Sequence, residues 1–287
     1  MIDLLHRIFR LLARGWSGAR KIIASEQLRR VRALAFQIYV LIALVGFAAL
    51  AMLATYAPVF QPDVSITREL QEELNPTEGW LLGLVSWPGY GVQSFTLVAL
   101  VVVFLMLVGL RWEAVSALVT AVGVGALNTL VKIAIRRPRP DASLVDVVEQ
   151  LNSFSFPSGH VMFYTAFFGF LLFLTFTLLH RGRRLVLGLI LFALVALVGL
   201  SRIYLGEHWA SDVIGGYLLG SLALFVSIGF YRWGKRRFFT TQPVASQVDE
   251  RGLTPAEQQE LHETARSPLI PQHPIKQELH DDDSDRT

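Results

Sequence analysis

Long runs without Asp, Glu, Lys or Arg dominate the chain, at 33–62, 79–110, 114–131, 185–201 and 213–231. A sixth, from Gln150 to His180, is broken only by His160. Apolar runs of about 18 residues or more read as transmembrane helices. Six spans are therefore predicted, at 35–57, 90–110, 113–133, 160–179, 185–204 and 210–231. Gly216 and Gly220 form a GxxxG pair in the last span, which suits close helix packing within the chain or between copies of it. The fold class this predicts is all-α, a polytopic membrane protein with its six transmembrane helices in a bundle.

Composition agrees with the pattern. The 287 residues are 53% hydrophobic and 17% charged, with a mean hydropathy of +0.46, whereas ordinary domains carry about 25% charge. A soluble enzyme, a secreted disulfide scaffold and a disordered polymer are excluded. With no cysteine, disulfides, thiolate nucleophiles and cysteine-ligated metals are excluded as well.

The net charge of +3 averages two unlike parts: 22 bases and 13 acids in residues 1–239, then 4 bases and 10 acids in the last 48. The basic excess borders the spans, which favours anionic membrane lipids over nucleic acid as partners. Residues 1–34 are predicted to form a basic, amphipathic, cytoplasmic segment. Leu4, Leu5, Ile8, Leu11 and Leu12 alternate there with Arg7, Arg10 and Arg14, which fits a surface-lying helix and equally fits a charged leader anchoring the first span. Residues 35–238 form the membrane domain. Residues 239–287 hold five of the twelve prolines and an acidic run at Asp281–Asp283, and are predicted to be a disordered cytoplasmic tail.

Lys/Arg counts set the orientation. The N-terminal bases, Arg181–Arg184 and Arg232–Arg237 fall on one side by parity, the cytoplasm. The 58–89 loop has one Arg and five acids and falls outside. The 134–159 loop breaks the rule, because Arg136, Arg137 and Arg139 are placed outside too. Those cations call for another purpose.

Three motifs sit at that outer face: Lys132–Pro140 (KIAIRRPRP), Pro157–His160 (PSGH) and Ser201–Asp212 (SRIYLGEHWASD). Lys132, Arg139 and Arg202 are cations near apolar helix ends, where charge is costly and usually functional. Ser158 and Gly159 open a helix, whose N–H groups favour an anion. His160 and His208 are two of only four histidines before the tail. Asp212 follows His208 by one helical turn, where a carboxylate holds an imidazole tautomer and stabilises its charged form. Each feature alone has an ordinary explanation: a snorkelling anchor, a helix cap, or a surface pair worth a few tenths of a kcal/mol. Their conjunction describes a phosphoryl site with a nucleophilic histidine and a general acid–base.

The motifs KX6RP, PSGH and SRX5HX3D resemble the three signatures of the type 2 phosphatidic acid phosphatase superfamily, without departure at any signature position. The motifs span 132–212, and the six-span layout extends the likeness over roughly 35–235. The resemblance implies that Lys132, Arg139, Ser158, Gly159 and Arg202 bind the substrate phosphate. It implies His208 as nucleophile, Asp212 as its orienting carboxylate and His160 as the acid, with no metal and no cofactor. One carboxylate in the matched set is too few for a two-metal site. The implied activity is hydrolysis of a lipid phosphate or diphosphate, of the undecaprenyl diphosphate, phosphatidylglycerol phosphate or phosphatidate class, through a phosphohistidine. The site is expected to face the periplasm or exterior of the plasma membrane.

Arg136 and Arg137 are expected to anchor lipid head groups rather than to widen the phosphate contact, and Glu207 to be a solvated loop acid. Trp80, Trp87 and Tyr90 suit the interface belt or the border of a lateral opening for lipid. A lipid phosphotransferase would use the same residues, with a lipid hydroxyl in place of water. A transporter would instead need charges along a path, whereas these cluster at one face. Head-group identity and oligomeric state leave no trace in the sequence.

Overall fold

The computed structural model describes the backbone of residues 2–239, with side chains from Glu26 onward except at 76 and 181. The faces of the basic N-terminal segment before residue 26, and the tail beyond Phe239, lie outside the described residues. Among the described residues all regular structure is helical. The first span is the membrane part of α1 (Ile2–Tyr56), followed by α2 (Gln61–Glu73) and α3 (Pro76–Ser86). A short turn, Trp87–Gly89, leads into α4 (Gly91–Leu107) and then α5 (Arg111–Ile135). The fourth span is built from α6 (Gly159–Phe163), a π-helical turn (Tyr164–Phe168) and α7 (Gly169–Leu178). Two long helices close the domain, α8 (Arg181–Tyr204) and α9 (Ala210–Phe238).

Among the described residues five helices are long and apolar enough to cross a membrane, and a sixth crossing forms if α3 and α4, bent by 61° at the Trp87–Tyr90 turn, count as one. This matches the six predicted spans except at the second, which starts earlier and is broken. The segment 58–89, expected as a loop, is mostly helix. Pro62 at the start of α2 and Pro76 at the start of α3 occupy positions where a missing N–H costs nothing. Asn75 caps α3 in a capping box with Glu78.

The fourth span is the most enclosed, with 61% of its apolar window buried. Val161, Tyr164, Phe167 and Phe170 from this span meet Val198 of α8 and Val213 of α9 in the core. Gly216 and Gly220 let α9 approach closely. A Cβ on Gly216 would lie 3.1 Å from Ser158 O, and one on Gly220 3.1 Å from Met162 Cα. The GxxxG pair therefore serves packing within the chain, and it fixes the distance between α9 and the PSGH turn.

Candidate active site

The three motifs converge at one end of the bundle. Lys132 lies in the last turn of α5. Arg139 follows in the connecting segment, after Arg136 has ended the helix in the left-handed region at φ 54°. Ser158 precedes α6, which His160 enters at its second position. Arg202 ends α8, His208 lies in the α8–α9 turn, and Asp212 lies in the first turn of α9. His160 and His208 each lie within electrostatic range of Lys132, Arg139 and Arg202.

Arg139 holds the centre. Its Nε donates to Ser153 O at 2.8 Å, its Nη2 to Ser153 Oγ at 2.8 Å, and its Nη1 to Glu207 O at 2.6 Å. The same Nη1 stands 3.2 Å from His208 Nε2. A guanidinium can only donate, so Nε2 accepts and the proton of the neutral ring belongs on Nδ1. The protonation state agrees, because burial, followed by the charges of Arg139, Lys132 and Arg202, holds His208 well below the ordinary histidine value. Burial and the neighbouring Arg202 also bring Arg139 down to about 10. The result is an imidazole lone pair on Nε2 facing a ring of cations.

Lys132 Nζ donates to Phe154 O, which ties the end of α5 to the loop before PSGH. Ser158 is fully buried, and its N–H is spent on Asp212 O at 3.1 Å, so it reaches a ligand through Oγ rather than through the backbone. Ser158 Oγ, His160 Nε2, His208 Nδ1 and Arg202 Nε are buried without a hydrogen-bond partner. Buried polar atoms in that state are exceptional and call for an explanation. All four belong to residues of the three motifs.

Several residues behave differently from expectation. Asp212 Oδ2 is 3.6 Å from His208 Nδ1, beyond a hydrogen bond. Catalytic hydrogen bonds often tighten only once substrate is bound. Asp212 is instead held by Arg137 Nη1 at 2.6 Å, Trp209 N at 3.0 Å and Ser155 Oγ. Arg137 is therefore not a lipid-head-group anchor: its side chain is wholly buried and also pairs with Asp63. Glu207 is not a solvated loop acid either. It is 1% exposed, forms an ion pair with Arg202 and accepts from Tyr90 OH at 2.7 Å. A buried carboxylate beside a guanidinium is stable only when paired, and nothing in the spacing of Glu207 signals that pairing.

The broken second span supplies one wall. Arg202 Nη1 donates to Ser86 Oγ at 3.1 Å and Tyr90 OH at 3.2 Å. The Tyr90 ring meets the His160 ring edge-on at 4.8 Å. Gly89 packs so closely that a Cβ there would strike the His160 ring. Trp80 and Trp87, by contrast, are 64% and 59% exposed, as membrane-interface residues should be. The 79–91 segment thus divides its aromatics between site and surface. Asn128, one turn before Lys132, donates to Pro157 O at 3.2 Å. Its position on the Lys132 face is the one signal that could have found it.

The family model described as the PAP2 superfamily matches residues 113–237. Phosphatidylglycerophosphatase B of Bacillus subtilis (strain 168) is 34% identical over 145 residues, covering 49% of this chain and 70% of that protein. Decaprenylphosphoryl-5-phosphoribose phosphatase of Mycobacterium tuberculosis is 36% identical over 115 residues, 39% of this chain and 59% of the relative. The crystal structure of a transmembrane PAP2-type phosphatidylglycerolphosphate phosphatase from Bacillus subtilis superposes with a TM-score of 0.61 at 24% identity. That alignment covers 71% of this chain and 98% of the other, and it supports the fold.

Proposed function

The chain belongs to the PAP2 superfamily, and from that premise we propose that it hydrolyses a long-chain lipid phosphate or diphosphate through a phosphohistidine on His208. It is a multi-pass membrane lipid phosphatase. The observation that carries the mechanism is the His208 Nε2 lone pair, held 3.2 Å from Arg139 inside a ring of cations.

In this reading Lys132, Arg139, Arg202, the Ser158 hydroxyl and the N–H of Gly159 bind the non-bridging phosphate oxygens, where charge is neutralised in the transition state. Nε2 forms a bond to phosphorus as the bond from phosphorus to the lipid oxygen breaks. His160, in its protonated form, gives its proton to that oxygen. The attached phosphoryl makes the Nδ1–H of His208 more acidic, and Asp212 stabilises the positive ring. Water then attacks phosphorus, His160 takes its proton, and the P–N bond breaks to release phosphate and neutral His208.

An apolar groove of about 500 Å³ supports a lipid substrate. It is lined by Gly89 and Gly159 beside the site and by Phe95, Val98, Leu118 and Val122 between α4 and α5, an apolar path that suits a lipid chain whose head group sits at the site. The outward orientation is supported by Arg183, Arg184, Arg232, Arg236 and Arg237 at the opposite ends of the helices.

Phosphate release in detergent, across phosphatidylglycerol phosphate, phosphatidate and polyprenyl diphosphate, tests the activity. Release from at least one of them without an added acceptor is expected, with none from His208→Ala. A requirement for an acceptor would make the enzyme a phosphotransferase. In the cysteine-free chain, an impermeant maleimide on intact cells should label Ser143→Cys and spare Gly182→Cys. The opposite pattern would reverse the orientation.

A further inference from the structure

We infer that Asp63 and Arg137 are positioning residues for the reaction, forming with Asp212 a buried chain of charges that ends at the nucleophile. The inference rests on the proposed roles of His208 and Asp212. Asp63 comes from α2, outside the part of the chain matched by the family model.

Arg137 uses its whole fork. Nη2 donates to Asp63 Oδ2 at 2.8 Å, Nη1 to Asp212 Oδ1 and to Ser211 Oγ at 2.6 Å each, and Nε to Pro58 O at 3.0 Å. Asp63 is secured from the other side, because its Oδ1 accepts from Ser211 N at 2.9 Å and its Oδ2 from Ser211 Oγ at 2.6 Å. All three charged side chains are 0–4% exposed.

The two oxygens of Asp212 are thereby divided. Oδ1 belongs to Arg137, while Oδ2, steadied by Trp209 N and Ser155 Oγ, is the one that faces His208 Nδ1. A lone buried guanidinium would draw the carboxylate wholly to itself. Sharing Arg137 with a second carboxylate leaves Asp212 with charge to offer the ring when the phosphohistidine forms. Removing Asp63 should then slow turnover while leaving phosphate binding, which uses other residues, nearly unchanged.

The test compares two ways of loosening α2. Asp63→Asn breaks the chain of charges. Gln71→Ala breaks a separate tether of the same helix, in which Gln71 Nε2 donates to Asp146 O at 2.7 Å and Tyr204 O at 2.8 Å. Both are assayed as the monodisperse, folded fraction in detergent, with melting temperatures recorded. Partners one step behind a reacting group typically carry about 10–100-fold in activity. Asp63→Asn is expected to lose kcat in that range with KM within about threefold, Asp63→Glu to recover part of it, and Gln71→Ala to keep kcat near wild type. Ser211→Ala, a milder change, should lower kcat without altering KM, and it provides the same readout if Asp63→Asn does not fold. Equal kcat losses in Asp63→Asn and Gln71→Ala, or wild-type kcat in both Asp63→Asn and Ser211→Ala, would overturn the positioning role. If those variants match wild type and His208→Ala is dead, only this inference fails. An active His208→Ala would remove the underlying mechanism instead.

Discussion

Buried carboxylates stand at both ends of the bundle, and the two groups are handled in opposite ways. At the end away from the three motifs Glu113, in the first turn of α5, accepts from Lys235 Nζ at 2.7 Å and from Tyr231 OH at 3.0 Å. Trp112 donates to Tyr231 O at 3.0 Å and so adds to the same seam between α5 and α9. One carboxylate meets one ammonium and one phenol, and the charges balance. At the end that carries the three motifs, Lys132, Arg137, Arg139 and Arg202 face Asp63, Glu207 and Asp212, leaving positive charge in excess and polar atoms of Ser158, His160 and His208 unpartnered. A cluster that joins helices closes on itself. One that awaits an anion keeps donors open, at a cost in stability.

The largest effect that would break this contrast comes from His208→Ala. Turnover should fall by at least about 10³-fold, as for other nucleophile deletions, with the melting temperature held or raised, since a buried imidazole among cations is removed. Residual activity within tenfold of wild type would end the contrast at once.

Arg139→Ala comes next. Losing one donor to a developing oxyanion costs about 10²–10³-fold, and the loss should appear in kcat/KM measured by phosphate release, together with weaker inhibition by vanadate.

Glu113→Ala should do the reverse. It removes the acceptor of the buried Tyr231 OH, so the melting temperature drops, by the equivalent of about 1–3 kcal/mol for an unsatisfied buried group, while kcat per folded molecule stays within about twofold. A large fall in kcat would mean that the Glu113 cluster serves the reaction.

The smallest effect is in the pH profile. His208 is held well below the ordinary 6.5, so kcat/KM should show no acid inflection at that value. The unfolded chain binds the proton that the folded site refuses, so stability falls as pH drops below about 6.5. On the alkaline side KM should rise as pH passes the Arg139 value of about 10. Glu113→Ala should leave both limbs in place.

The spans and the residues that converge at one end of the bundle were legible because each is written locally. Charge-free runs are long, and the triplet Lys132–Arg139, Ser158–His160 and Arg202–Asp212 lies at spacings that a motif can show. The Asp63–Arg137 pair was not, because its members are 74 residues apart and Arg137 looks like any membrane-edge cation until its partner is folded onto it. The pairing of Glu207 with Arg202 and Tyr90 was hidden in the same way. Helix α2 was missed because its polar composition resembles a loop, and α3 because the Pro88–Gly89 turn parts it from the rest of its apolar run: hydropathy shows where a chain crosses but not where it bends.

The π-helical turn at Tyr164–Phe168 carries a consequence of phase. Such a turn holds one residue more than an α-helix would, and each residue advances a helix by about 100°. Everything above it is therefore rotated relative to the lipid-facing pattern below. Deleting one residue between 164 and 168 would smooth the fourth span into an ordinary helix, leave every signature residue in the gene, and swing His160 about a quarter-turn away from Arg202 and His208. The position of His160 is thus set by an insertion that no side chain of the site records.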